Sequence, residues 1–93
     1  MIRSFACPAT AAIFNDRQVP DFPPTFQRTA RRKLVQIDLA MNLSDLRVPP
    51  GNRLEALRGD RDGRHSIRIN DQWRICFRWT TNGAEEVEIV DYH

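Results

Sequence analysis

Three consecutive positions at the end of this 93-residue sequence, Asp91-Tyr92-His93, bring a carboxylate, a phenol and an imidazole together. His93 is the member of that trio that titrates nearest neutral pH. The remaining chemistry is carried mostly by guanidinium groups: of the 14 basic residues only Lys33 is not arginine. A guanidinium is a planar fork that pairs bidentately with phosphate and stacks on bases, whereas an ammonium is a hydrated point charge. Arg28, Arg31, Arg32 and Lys33 form one basic group, and Arg53, Arg58, Arg61, Arg64, Arg68, Arg74 and Arg78 follow over a longer stretch. Arginines interleaved with an aromatic such as Tyr92 supply what single-stranded nucleic acid needs, charge for the phosphates and a ring for stacking. Cys7, Cys76, His65 and His93 show none of the close Cys-x-x-Cys or His-x-x-x-His spacings of a zinc site. The two cysteines read as buried thiols of a reducing cytoplasm, and His65 as a structural residue at the start of a strand.

The elements that must position these groups show in the apolar period. Phe26, Ala30, Leu34, Ile37 and Met41 recur at helical spacing and form one stripe. Thr25 offers a hydroxyl to cap that helix, and Gln27, Arg28, Arg31, Arg32 and Lys33 lie outside the stripe, a basic face open to an anionic or acidic partner. Pro8 suits the first turn of a shorter helix that ends at Asn15-Asp16, and the three prolines between Val19 and Pro24 mark a connector. Ser44-Asp45-Leu46 makes one short turn and Pro49-Pro50-Gly51 a loop. Beyond Gly51 the period changes to two: Ile67 and Ile69, then Trp73, Ile75, Phe77 and Trp79, then Val87 and Ile89. Alternation of this kind belongs to antiparallel strands with one buried face. Asn70-Asp71 and Thr81-Asn82-Gly83 supply the turns. The predicted fold is α+β, a single domain over residues 1–93, with two N-terminal helices packed on an antiparallel sheet of about four strands.

Strand parity then sorts side chains by face. With Ile67, Ile69, Ile75, Phe77, Val87 and Ile89 toward the helices, Ser66, Arg68, Arg74, Cys76, Arg78, Glu86, Glu88 and Tyr92 share the opposite, open face. Glu86 and Glu88 are placed to pair with Arg68 and Arg78 across strands, while no acid is predicted to stand opposite Arg58 or Arg74. The net charge of +2 hides this distribution, because residues 79–93 hold four acids and no base. Hydrophobic residues at 41% and charged residues at 28% fit an ordinary globular domain and exclude a disordered or collagen-like chain. No run approaches the ~18 apolar residues of a membrane span, and Met1-Ile2-Arg3-Ser4-Phe5 does not open a secretory signal. The expected setting is the cytoplasm, with no membrane partner.

Taken in order, Asn52-Arg53-Leu54-Glu55-Ala56-Leu57-Arg58-Gly59-Asp60-Arg61, His65-Ser66-Ile67, Asn70-Asp71-Gln72-Trp73-Arg74-Ile75 and Val90-Asp91-Tyr92-His93 resemble the HigB/GraT-type toxins of the RelE superfamily. Met1-Ile2-Arg3-Ser4-Phe5 fits the same pattern, so the likeness spans essentially the whole chain. This resemblance implies the RelE-like fold and an mRNA endoribonuclease that works in the A site of the 30S ribosomal subunit, without metal or cofactor. It implies as partner a helix-turn-helix antitoxin of the HigA/GraA type, with operator DNA bound only through the toxin–antitoxin complex. Residue by residue, Arg58 and Arg74 fall where such toxins hold cations against the scissile phosphate, and Asp91, Tyr92 and His93 match their terminal cluster. Glu55 stands where better-known members carry a histidine.

Metal-free RNA cleavage uses the substrate's own 2′-hydroxyl as nucleophile, and needs a base, cations at the phosphate and an acid for the leaving 5′-oxygen. Arg58 and Arg74 are the expected cations, His93 or Glu55 the base, and His93 or Asp91 the acid. Tyr92 stacks on a base or orients the 2′-hydroxyl. Arg53, Arg61, Arg64 and Arg68, with Arg28, Arg31 and Arg32, are expected to bind RNA. Two other readings compete: a ribosome- or RNA-binding growth inhibitor that does not cut, and a ParE-like inhibitor of DNA gyrase.

Overall fold

Proline opens both helices, because its fixed φ and missing N–H suit the first helical position. The computed structural model describes residues 1–20, 22–61 and 63–91. Helix α1 runs Pro8–Phe14 and α2 runs Pro24–Leu39. Thr25 is not the cap of α2: Pro23 holds that position, the helix begins one residue before Thr25, and no side chain caps it. Gln27 secures the proline-rich connector instead, accepting from the Val19 amide and donating to the Val19 and Phe22 carbonyls. Met41 also departs from the predicted stripe and is exposed, since α2 ends two residues earlier. Asp45 accounts for that end: its Oδ2 accepts from the amides of Met41 and Asn42, each at 3.0 Å, and starts a new short turn at Leu43–Arg47.

The sheet is an antiparallel meander of four strands, β1 (Glu55–Ala56), β2 (Arg64–Arg68), β3 (Trp73–Thr80) and β4 (Gly83–Asp91), in sequential order. Short 3-10 turns at Pro50–Asn52 and Gly59–Arg61 flank β1. Both predicted hairpin turns are present, and the alternating residues Ile67, Ile75, Phe77 and Val87 are fully buried with Ala30, Leu34 and Ile37 of α2. The first residues lie along the outer edge of β4, with parallel bridges Ile2↔Ala84 and Phe5↔Val87. Asp38 of α2 accepts from the Ile2 amide and Thr10 of α1 from the Ile89 amide, which fastens both helices to that edge. Gly83 has φ +126, and a Cβ there would fall 2.1 Å from the Met1 carbonyl oxygen, so this approach requires glycine.

Strict alternation fails once, in β4. The register shifts between Cys76 and Arg78, and Glu86 takes φ +53, as a β-bulge requires. The extra residue puts Glu85, rather than Glu86, in register with Arg78. No helix is long and apolar enough to cross a membrane among the described residues, and Cys7 and Cys76 are not joined in a disulfide.

Candidate active site

The face of the sheet away from the helices is not open where strand parity predicts it to be. Ser66 and Cys76 are fully buried, and Arg74 is only 8% exposed. Arg74 projects from β3 and donates from Nε to Ser66 Oγ at 2.8 Å, and from Nη2 to the Arg53 carbonyl at 2.6 Å. The chain at Arg53 therefore closes over this end of the sheet, and Arg74 is an oriented cation rather than a mobile surface one. Arg53 itself is exposed and left-handed, with φ 46 and ψ 57, and ends the Pro50–Asn52 turn. That bend leads directly into β1.

The alternation of the sequence does not mark β1 as a strand, yet β1 places a carboxylate. Glu55 is exposed and in register with Ser66, the residue that holds Arg74. A carboxylate and a guanidinium thus lie on either side of one serine. Arg58 follows β1 by two residues and is exposed, and its side chain makes no hydrogen bond or ion pair with the described residues. Asp91 is exposed in register with Trp73, and its Oδ2 accepts from Gln72 Nε2 at 3.1 Å. Tyr92, His93 and the side chain of Arg61 lie outside the described residues.

The other arginines are placed differently from one another. Arg64 pairs with Glu86 at 2.9 Å, and Arg78 with Glu85 at 2.7 Å and with Glu86 at 3.5 Å. Arg68 pairs with Asp71 of the adjoining turn, not with Glu86 or Glu88, because its row across the sheet runs through Arg74 to Val90 rather than to an acid of β4. Arg28, Arg31 and Arg32 lie on the helical layer, separated from Arg74 by the sheet. They line a groove of about 590 Å³ between α1 and α2, floored by Ile13 and Val35 and also edged by Arg17. His65 stacks on Phe77 with ring centroids 6.4 Å apart, and its Nδ1 is buried without a hydrogen-bond partner among the described residues.

Beside this site one residue differs from its sequence-based placement and another received none. Lys33, read as part of the exposed basic face, is 9% exposed, and its Nζ donates to Asn52 Oδ1 at 2.5 Å. Helical spacing could have found it, since Lys33 is three residues after Ala30 and four before Ile37 and so falls on the buried stripe. Burial lowers its pKa, and the neighbouring charges of Arg32 and Arg68 lower it further. Asn52 is fully buried, and nothing in the local pattern marks it.

Residues 4–93 match the family of RelE-like toxins of the type II toxin–antitoxin system HigB. The chain is 43% identical to Toxin HigB-1 of Vibrio cholerae over 70 residues, which is 75% of this chain and 74% of that one. It is 29% identical over the whole of both chains to Endoribonuclease HigB of Proteus vulgaris. Among solved structures, a YoeB/ParE toxin from Agrobacterium tumefaciens is similar at 22% identity and a TM-score of 0.49, covering 98% of both chains.

Proposed function

This chain belongs to the HigB-type RelE-like toxins of type II toxin–antitoxin systems, and on that premise we propose that it is a ribosome-dependent endoribonuclease cutting mRNA in the A site. An antitoxin is its partner by family; the proposed one is a helix-turn-helix protein of the HigA/GraA type, whose complex with this chain binds operator DNA. Residues 1–93 act as one toxin domain. Support for the nuclease reading comes from one juxtaposition: Arg74, fixed on Ser66, and Glu55, in register with that same serine.

In this reading the 2′-hydroxyl of the substrate loses its proton to a base drawn from Glu55 and His93. It attacks the adjacent phosphorus, and the bond to the 5′-oxygen breaks as that oxygen takes a proton from His93 or Asp91. A 2′,3′-cyclic phosphate is left on the upstream fragment. Arg74 and Arg58 stabilise the charge that builds on the phosphate, and the held orientation of Arg74 means little reorganisation is needed as it does. Tyr92 stacks on a base or orients the hydroxyl. The nucleophile belongs to the substrate, so no metal-bound water is required. Positioning of mRNA by the ribosome supplies the rest, and orientation alone is worth roughly 7–11 kcal/mol of barrier. Arg53, Arg61, Arg64 and Arg68 extend RNA binding around the site. Arg28, Arg31 and Arg32, on the far side of the sheet, meet ribosomal RNA rather than the scissile strand.

Programmed ribosomes test the reading directly. Purified protein should cut mRNA within the A-site codon, leave a 2′,3′-cyclic phosphate, and fail on mRNA carrying a 2′-deoxy nucleotide at the scissile position. Uncut mRNA with folded protein overturns it. Loss of gyrase supercoiling in a parallel assay would support the ParE-like alternative instead.

A further inference from the structure

Asn52 sits at the junction of the helical layer and the candidate site. Its Oδ1 accepts from Lys33 Nζ, while its Nδ2 donates to Gln36 Oε1 at 3.0 Å, to the Leu46 carbonyl at 3.1 Å and to the Val48 carbonyl at 3.4 Å. One carboxamide therefore ties together α2, the Leu43–Arg47 turn and the chain that enters the Pro50–Asn52 turn. The residue types are not interchangeable. A carboxylate would keep the ammonium but turn an oxygen toward two carbonyls, and an aliphatic side chain would leave the Lys33 ammonium buried and unpaired. Asparagine alone offers an acceptor to the cation and donors to the carbonyls within that volume.

The consequence appears one residue later. Arg53 turns through the left-handed region, and its carbonyl is the acceptor for Arg74 Nη2. β1 then runs from that turn, with Glu55 paired against Ser66 and Leu57 N–H donating to the Arg64 carbonyl at 2.8 Å, and Arg58 comes next. Where Asn52 is held thus decides where the Arg53 carbonyl, Glu55 and Arg58 stand relative to Arg74. Burying the Lys33 ammonium against a neutral carboxamide costs desolvation that no opposite charge offsets.

We propose that Asn52, clamped by Lys33, is the positioning residue that sets Arg74 and the Glu55–Arg58 segment for RNA cleavage. The proposal rests on the nuclease reading above for its kinetic consequence, though not for its structural one. Asn52 and Lys33 touch no substrate; they act through Arg53.

The test compares wild type with Asn52→Ala and Lys33→Met, each with and without Arg74→Ala. The two readouts are single-turnover mRNA cleavage on programmed ribosomes and the Arg74 Nε–Hε resonance in 15N NMR. The saturating cleavage rate should fall by about tenfold to a hundredfold, as for a misplaced reacting group. The half-saturating ribosome concentration should move by less than about twofold. In the Arg74→Ala background the same substitutions should cost severalfold less than in wild type, because coupled residues are non-additive, the residual loss coming from the displaced Glu55–Arg58 segment. The Arg74 Nε–H should lose its protection from solvent exchange in both single variants. Equal losses in both backgrounds, or an unchanged Arg74 resonance, overturn the proposal. Should wild type fail to cut mRNA, the nuclease reading falls, and the NMR comparison still decides whether Asn52 positions Arg74. If Asn52→Ala does not fold, Lys33→Met, which leaves the carboxamide in place, carries both readouts.

Discussion

A guanidinium that donates from Nε to a serine hydroxyl and from Nη2 to a backbone carbonyl is fixed in direction as well as in place. For that reason Arg74→Lys should behave almost like Arg74→Ala: a single ammonium cannot replace the fork. Each should lower A-site cleavage by on the order of 10²–10³, the cost of removing one preorganised donor from a transition state. Circular dichroism on the same preparations checks that the fold survives, and near-wild-type cleavage by Arg74→Lys would remove the fork from the mechanism. Lys33 makes a separate statement about pH. Burial first, then Arg32 and Arg68, lowers its pKa from the ordinary 10.5, so the unfolded chain binds that proton more readily than the folded one. Its contribution to stability therefore rises with pH between the lowered folded value and 10.5. Denaturant unfolding from pH 7 upward should show the stability of wild type gaining on that of Lys33→Met; a constant difference refutes the assignment.

Among the elements, the edge of β4 is the most sensitive to a single methyl group. Gly83→Ala would drive a Cβ into the Met1 carbonyl at a φ of +126, so it should destabilise the fold by more than the ~1 kcal/mol of an ordinary glycine change. The amides of Ala84 and Val87, which donate to Met1 and Ser4, should exchange faster in hydrogen-exchange measurements. Wild-type protection at both would show that the edge adapts. In α2, Leu34 is fully buried against the sheet, and Leu34→Ala should cost about 2–5 kcal/mol in denaturant unfolding. The helical stripe and the two hairpins are legible in the sequence because each depends on residues within a few positions of one another. Glu85-Glu86 interrupts the alternation of β4 and is the visible trace of the bulge, although it does not say which acid then meets Arg78.

Across the whole molecule the arginines divide by the sheet. Arg74, Arg53 and Arg58 belong to the candidate site, while Arg28, Arg31 and Arg32 border the groove between the helices. Replacing all three of the latter by glutamate should weaken ribosome association and flatten its dependence on salt, by roughly 0.7–0.9 in log–log slope for every phosphate they neutralise in the wild type. An unchanged slope in a sedimentation assay would remove this face from ribosome binding. The near-exclusive use of arginine, the helix over most of the 26–41 stripe and the antiparallel meander are readable along the chain, because periodicity and residue type are local properties, while Arg58 and Arg74 gain their expected place at the phosphate from the family resemblance. Which polar groups satisfy one another is not readable in this way. Lys33 finds Asn52 across 19 positions and Arg74 finds the Arg53 carbonyl across 21. Burying a charge or an amide demands a partner wherever the packed chain brings one. That demand, met only after the helices close on the sheet, turns an expected open arginine face into a held guanidinium beside a carboxylate.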